Sequence, residues 1–172
     1  MAEWKDPENT LVIEVDTGAG TGEVVVEMLP DVAPKHVEQI KALARAGEYD
    51  GVVFHRVIEG FMAQTGDVKH GKAGGGLGRA GTGGSDRPDL PAEFSKLPFD
   101  RGVVGMARAQ SPNSGNSQFF IMFREGHFLN GQYTVWGRVI SGMEHVDAIP
   151  RGEPPARPGV MNSVRVAADL AQ

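Results

Sequence analysis

Apolar and polar residues alternate along most of the chain in short runs of the kind that form β-strands. The segment TGAGTG between the first two runs is rich in turn residues and predicts a β-hairpin. Strand-like runs are found at residues 11–16, 23–29, 52–58, 133–140 and 160–167, with two more inside residues 103–123. Because many short strands occur with only two helical segments and do not alternate with them, the pattern favours a closed antiparallel barrel.

Two stretches have helical spacing instead. The first contains an apolar stripe, so we expect a helix from a cap at Asp31 to residue 46, with Gly47 ending it. Ser141 and Glu144 have the spacing of a capping box, which predicts a short helix through residue 149. The residues of the apolar stripe are Val37, Ile40, Leu43 and Ala44.

One arginine stands among large apolar residues in the third run. In a continuous strand over residues 52–58, Arg56 would share a face with Val52, Phe54 and Ile58. It is either an edge arginine lying over apolar surface or a guanidinium on the floor of an apolar groove, where its donors act in low dielectric. His55 would face the opposite way, and we interpret it as an interior histidine with satisfied hydrogen bonds.

Residues that follow this arginine suit a peptide ligand. Phe61, Met62 and Gln64 supply two large apolar groups and one amide, which fit a peptide better than a phosphate or a metal. In residues 103–123 a second amide, Gln118, would share a strand face with Phe120 and Met122, while the alternate residues face the other way. For these apolar residues the alternative is ordinary core packing.

Three long blocks of the sequence resemble the cyclophilin family of peptidyl-prolyl cis-trans isomerases. They are FHRVIEGFMAQTGD, MARAQSPNSGNSQFFI and FLNGQYTVWGRVISGMEHVDAI, and the similarity runs over residues 11–166. The resemblance implies a mainly β fold, a closed eight-stranded antiparallel barrel capped by two α-helices. It would form one isomerase domain over residues 11–168, after a flexible N-terminal segment of residues 1–10.

The same resemblance implies roles for individual residues. Arg56 would be the catalytic residue, donating a hydrogen bond to the proline nitrogen as the amide twists. Gln64 would hold a substrate carbonyl group, and no cofactor or metal is implied. The whole expected substrate-binding set is Phe61, Met62, Gln64, Ala107, Arg108, Ala109, Gln118, Phe120, Phe128, Leu129 and Tyr133.

Composition limits the partners and the chemistry. A net charge of −5 argues against nucleic acid and anionic membrane surfaces as partners. The chain has no cysteine, and its histidines lack the spacing of metal ligands. The glycine-rich residues 68–90 include partial dinucleotide and phosphate-loop patterns without the helix or hydroxyl that those motifs need, so we interpret them as a surface loop. We expect a cytoplasmic monomer.

Several functions fit this sequence. The leading hypothesis is an isomerase that acts on X–Pro bonds in peptides and in unfolded or flexible proteins, and so assists folding. The alternatives are a non-catalytic module that binds proline peptides or acts as a scaffold, and a chaperone that acts through exposed apolar surface. Retention of Arg56 together with the apolar and amide residues around it favours the enzyme.

The sequence departs from the family pattern at four places. Phe128 stands where many members have Trp, and Tyr133 where many have His, which resembles bacterial members. Arg108 replaces a frequent Asn and Thr65 a frequent Gly. In the family the Trp position is associated with cyclosporin affinity, so we expect cyclosporin to bind with reduced affinity.

Phe128→Trp should tighten cyclosporin binding, because indole adds a larger apolar surface and an N–H donor. A calorimetric titration of wild-type and variant protein with cyclosporin measures the change. Equal affinities would show that Tyr133 or another difference controls binding of the drug.

Overall fold

A computed structural model describes residues 5–170, and nine strands in them form a single antiparallel sheet. Across the sheet the order is β3-β9-β1-β2-β8-β6-β7-β5-β4. The predicted mainly β, antiparallel architecture is confirmed. The strands are β1 Thr10–Asp16, β2 Thr21–Met28, β3 Val52–Val53, β4 Arg56–Ile58, β5 Met62–Thr65, β6 Val103–Met106, β7 Phe119–Met122, β8 Val135–Ser141 and β9 Val160–Val166.

The expected closed eight-stranded barrel is wrong in detail: the sheet has nine strands and is curled but open. Its two edge strands, β3 and β4, come from the predicted continuous strand over residues 52–58, which is broken at Phe54 and His55. At the break the backbone bonds to loops, since Val53 N donates to Gly71 O at 2.8 Å and Phe54 N donates to Gly159 O at 2.9 Å.

The break also changes which residues face together. Val52 and Phe54 are fully buried in the main core, whereas Ile58 packs against a second apolar cluster. Arg56 is adjacent to that second cluster and lines a cavity. The prediction that Arg56 shares a face with Val52 and Phe54 is therefore wrong, although Ile58 does lie near it.

Two apolar clusters use alternate residues of the same strands. In β7 and the residue after it, Phe119, Ile121 and Phe123 belong to the main core, while Phe120 and Met122 belong to the second cluster. The alternation predicted for this run is confirmed. Helices α1, Pro34–Arg45, and α2, Met143–Asp147, cover the main core. Their buried apolar residues include Val37, Ile40, Leu43 and Val146.

Helix α1 begins later than predicted and is capped by a distant residue. Its N-cap is Ala33, which makes no side-chain cap, so the predicted cap at Asp31 is wrong. The Glu93 carboxylate instead accepts hydrogen bonds from Lys35 N at 3.3 Å and His36 N at 2.9 Å. A carboxylate on the free amides of a first helical turn satisfies donors that the helix itself leaves unpaired.

The other helix ends agree in part with the sequence. Gly47 follows α1 with φ of +73°, as expected for a residue that ends a helix. The capping box predicted at Ser141 is wrong, because the N-cap of α2 is Gly142, with φ of +86° and no side-chain bond. None of the helices in residues 5–170 has the length and apolar character needed to cross a bilayer.

Part of the N-terminal segment is structured. Pro7–Asn9 form a 3₁₀ helix, and the carboxylate of Glu8 lies 2.6 Å from Lys41 Nζ and 2.8 Å from Arg45 Nη2. Two more 3₁₀ helices are His127–Leu129 and Ala167–Asp169. Residues 1–4 lie outside the described residues, so the flexibility expected for residues 1–10 stays a prediction.

Glu93→Ala should lower the free energy of unfolding by about 1–3 kcal/mol, because two amides of α1 lose an ionised acceptor. The buried His36 side chain loses a partner as well, since its Nδ1 lies 2.6 Å from Glu93 Oε1. Asp31→Ala is the matched control and should change stability by less than about 0.5 kcal/mol. Urea unfolding followed by circular dichroism measures both. An equal loss in the two variants would show that Asp31 contributes to the cap.

Candidate active site

The candidate site is built on a row of four residues that face each other across neighbouring strands. Arg56 in β4 is paired with Gln64 in β5, Gln64 with Phe120 in β7, and Phe120 with Gly105 in β6. Residues directly opposite in antiparallel strands project from the same face of the sheet. Strand register therefore places the guanidinium, the amide and the aromatic ring side by side.

A cavity of about 500 Å³, with polar residues on one side and apolar residues on the other, is lined by Arg56, Gln64 and Phe120 of this row. Phe120 forms part of its floor, and its ring stacks on Phe99 with centroids 5.8 Å apart. Gly105 makes this stacking possible, since a Cβ there would lie 2.6 Å from an atom of each ring. Other apolar residues of the cavity are Phe61, Met62, Leu129 and Tyr133.

Two groups hold the Arg56 guanidinium at the edge of this cavity. Its Nε–H donates to Glu153 Oε1 at 3.0 Å and its Nη1–H donates to Gln64 Oε1 at 3.2 Å. Arginine has five N–H donors, so three remain beyond these two bonds. The side chain is 44% exposed, and a ligand in the cavity can therefore reach the remaining donors.

A chain of side-chain amides continues from the guanidinium. Gln64 Nε2 donates to Gln118 Oε1 at 3.0 Å, and Gln118 Nε2 donates to Gly81 O at 3.0 Å and to Gly83 O at 2.8 Å. Because arginine can only donate, its bond to Gln64 fixes the direction of every bond that follows. The orientation of both amides is thereby set.

Asp67 holds the glycine loop in which this chain ends. Its buried carboxylate accepts bonds from Gly81 N at 2.8 Å, Gly83 N at 2.9 Å, His70 N at 2.8 Å and Lys69 N at 3.1 Å. Burial raises the pKa of Asp67, but the four backbone donors together lower it by more than burial raises it, so the pKa lies below the usual value. The carboxylate is therefore ionised at neutral pH.

A second cavity of about 420 Å³ adjoins the first and shares five residues with it, Gln64, Gly81, Thr82, Ala107 and Arg108. The Arg108 guanidinium is fixed there by bonds to the carbonyls of Gln132 at 3.0 Å and Ala109 at 3.0 Å. It also lies 4.5 Å from the centre of the Tyr133 ring. Two of the departures from the family pattern therefore contact each other.

Most of the expected site residues meet in these cavities. Ala109 and Gln118 line the second cavity. Phe128 is among the residues of neither cavity: it is 72% exposed, and its ring centre lies 5.6 Å from that of Phe61. The first cavity contains Arg56, Phe61, Met62, Gln64, Ala107, Arg108, Phe120, Leu129 and Tyr133.

Comparison with known proteins identifies the family. The sequence model of the family described as "Cyclophilin type peptidyl-prolyl cis-trans isomerase/CLD" matches residues 11–167. The chain belongs to this family. The activity predicted from the sequence, peptidyl-prolyl cis-trans isomerisation, is confirmed as that of the family and of its named homologues.

Individual relatives agree with this assignment. A probable peptidyl-prolyl cis-trans isomerase of Brucella suis is 60% identical over 163 residues, which cover 94% of this chain and 81% of the relative. A cyclophilin structure from Hirschia baltica has 31% identity and a TM-score of 0.83, over 96% of this chain and 76% of that one. A Cryptosporidium parvum cyclophilin, crystallised in the presence of the dipeptide Ala-Pro, has 26% identity and a TM-score of 0.78. The match covers 91% of this chain and 98% of that one.

Sequence reasoning missed several residues of the first cavity. The pattern of the sequence gave no signal for Glu153, which lies 97 positions after Arg56 in the chain. The glycines of residues 68–90 were a usable signal, because a backbone without side chains can approach a ligand closely. The missed residues are His55, Leu77, Gly78, Ala80, Gly81, Thr82, Glu153 and Pro154.

His55 differs from its prediction. It is buried, 7% exposed, as expected of an interior histidine. It nevertheless lines the same cavity as Arg56, and its Nδ1 has no hydrogen-bond partner in residues 5–170. Burial lowers the pKa of the imidazole. Among all residues from 5 to 170, no cluster of three or more His, Cys, Asp or Glu side chains could hold a metal ion.

Asp67→Asn should lower the free energy of unfolding at pH 7 by about 2–4 kcal/mol, because an amide can present only one oxygen to four N–H donors. The folded-state pKa of Asp67 lies below the unfolded value, about 3.9. Its contribution is therefore complete above that value and is lost as the pH falls through the folded-state pKa.

Urea unfolding of both proteins between pH 7 and pH 3 measures this difference. The gap in stability between them should narrow only below about pH 4. A gap that is absent at pH 7 would contradict the role given to the carboxylate.

Proposed function

We propose that Arg56 catalyses rotation about X–Pro bonds while the proline ring occupies the cavity of Phe61, Met62, Phe120 and Leu129. The observation that carries this proposal is the position of the guanidinium. Glu153 and Gln64 fix it at the edge of the cavity, next to the apolar residues, and three of its N–H donors are not used by these two bonds. As the amide twists, the proline nitrogen regains its lone pair. A donor held next to it stabilises the twisted state more than the planar one.

The reduction of the barrier that catalysis of this reaction requires is modest. X–Pro isomerisation takes roughly 10–100 s without a catalyst, over a barrier of about 20 kcal/mol. A turnover of about 10 s⁻¹ would need roughly 10³-fold acceleration, or about 4 kcal/mol. One charge-assisted hydrogen bond contributes about 1.5–3 kcal/mol, and binding in an apolar cavity contributes the rest. No nucleophile or general base is required.

The backbone of the substrate would lie across the boundary between the two cavities. Gln64 uses its oxygen for Arg56 and one N–H for Gln118, so its second N–H is available to a substrate carbonyl. Ala107 and Arg108 line both cavities and Ala109 the second. The Cryptosporidium relative studied with Ala-Pro supports a proline peptide as ligand.

Clients of this activity would be proline-containing segments of unfolded or flexible proteins, whose folding it would assist. Phe128, exposed beside Phe61, would contact the chain on the rim of the cavity. The monomeric state, the cytoplasmic location and the weakened cyclosporin binding stay predictions from the sequence.

Arg56→Ala should lower kcat/KM for an X–Pro peptide by about one to three orders of magnitude, or about 1.4–4 kcal/mol. The apolar residues Phe61, Met62, Phe120 and Leu129 are unchanged in this variant, so affinity for the ground-state peptide should change much less than the rate. Arg56→Lys should recover only part of the rate, because an ammonium keeps the charge and loses the planar fork. Exchange NMR on the peptide measures rate and affinity together.

Arg138→Ala is the matched control, since Arg138 is an exposed arginine that also pairs through Nε with a carboxylate and is not among the residues lining either cavity. It should leave the rate unchanged. A folded Arg56→Ala protein with near-normal isomerisation would contradict the mechanism and leave the apolar cavity as the source of catalysis. Loss of binding together with rate would instead favour a role in ground-state affinity.

A further inference from the structure

The carboxylate that holds Arg56 belongs to the loop between α2 and β9, and this loop also forms part of the cavity wall. Glu153 and Pro154 both line the cavity. Glu153 Oε1 lies 3.0 Å from Arg56 Nε, and the two side chains are 56% and 44% exposed. Exposed ion pairs contribute little to stability, so stability alone does not account for this pair.

Arg151 fixes the start of the loop. Its Nη1 donates to Asp147 O at 2.8 Å, at the C-terminal end of α2, and to Ile149 O at 2.7 Å, two residues after the helix. Its Nε donates to Glu59 Oε2 at 2.6 Å, and its guanidinium lies 4.1 Å from the centre of the Phe123 ring. Four contacts on one side chain leave the loop little freedom at this point.

The next residue docks the loop on the strand that carries Arg56. Gly152 N donates to Val57 O and Val57 N donates to Gly152 O, both at 2.8 Å. Gly152 has φ of +145°, and a Cβ there would lie 2.5 Å from Pro155 Cα, so only glycine fits. Because Gly152 pairs with Val57, the residue after Arg56, the next loop residue, Glu153, lies beside the Arg56 guanidinium.

We propose that Glu153 is a positioning residue that acts on the isomerisation through Arg56, an inference that rests on the proposed function. With Gln64 as its only partner, the guanidinium would be bound at one nitrogen, and the plane of the guanidinium would be free to turn. Glu153 binds a second nitrogen, Nε, and the two bonds together fix the plane and direct the unused donors into the cavity. A long arginine side chain otherwise has many rotamers, most of them unproductive.

Two substitutions separate position from charge. Glu153→Ala removes the acceptor and should lower kcat by about 3–10-fold, as the fraction of protein with a productive guanidinium falls. The KM should stay within about twofold. Glu153→Gln keeps an oxygen acceptor and should recover most of the rate, since the hydrogen bond to Nε, more than the negative charge, orients the guanidinium.

Glu27→Ala is the matched control: Glu27 Oε1 binds Arg138 Nε at 2.8 Å in another exposed pair, away from both cavities. It should leave kcat unchanged. Thermal melting of all variants checks that they are folded.

A double-mutant cycle tests whether Glu153 acts through Arg56. Glu153→Ala should have almost no further effect in an Arg56→Ala background, because the group that it positions is then absent. Equal effects in both backgrounds, an unchanged kcat in Glu153→Ala, or a kcat above wild type in Glu153→Gln would each overturn the proposal. Failure of the proposed function is distinct: Arg56→Ala alone would then leave the rate unchanged.

Discussion

The arrangement of the site depends on one constraint, that an arginine can donate hydrogen bonds and cannot accept them. Arg56 donates to Gln64, which makes Gln64 donate to Gln118, which in turn donates to the carbonyls of Gly81 and Gly83. The chain ends in a loop whose own amides are bound by the Asp67 carboxylate. A buried negative charge and a surface positive charge thus fix the polar side of the cavity between them.

The apolar side of the cavity follows from sheet geometry. Strands β5 to β7 send alternate residues into the main core and into a second cluster, and the cavity lies over that second cluster. Because the sheet is curled and open, its edge strand β4 is free to present Arg56 beside the cavity and to accept the docking of Gly152. A closed barrel would have used the backbone groups of β4 in a strand ladder.

Local patterns in the sequence correctly predicted those features of the fold that depend on residues close together in the chain. The alternation over residues 118–123 gave the two faces of β7, and Gly47 gave the end of α1. Contacts between distant residues could not be predicted this way. Glu93 caps α1 from 57 positions away and replaces the expected Asp31. The break at Phe54 and His55 depends on Gly159 and Gly71 as hydrogen-bond partners, and alternation within one strand carries no information about them.

Glu153 and Gln64 hold the Arg56 guanidinium in place before any substrate binds. NMR of arginine side chains in the free protein tests this most directly, because bonds at two nitrogens slow rotation of the guanidinium. We expect a resolved, slowly rotating Arg56 signal, in contrast to that of Arg124, whose guanidinium bonds within residues 5–170 only to its neighbour Glu125, through Nη2. An Arg56 guanidinium that rotates as fast as that of Arg124, and slows only when a proline peptide is added, would show that the substrate and not the free protein fixes this side chain.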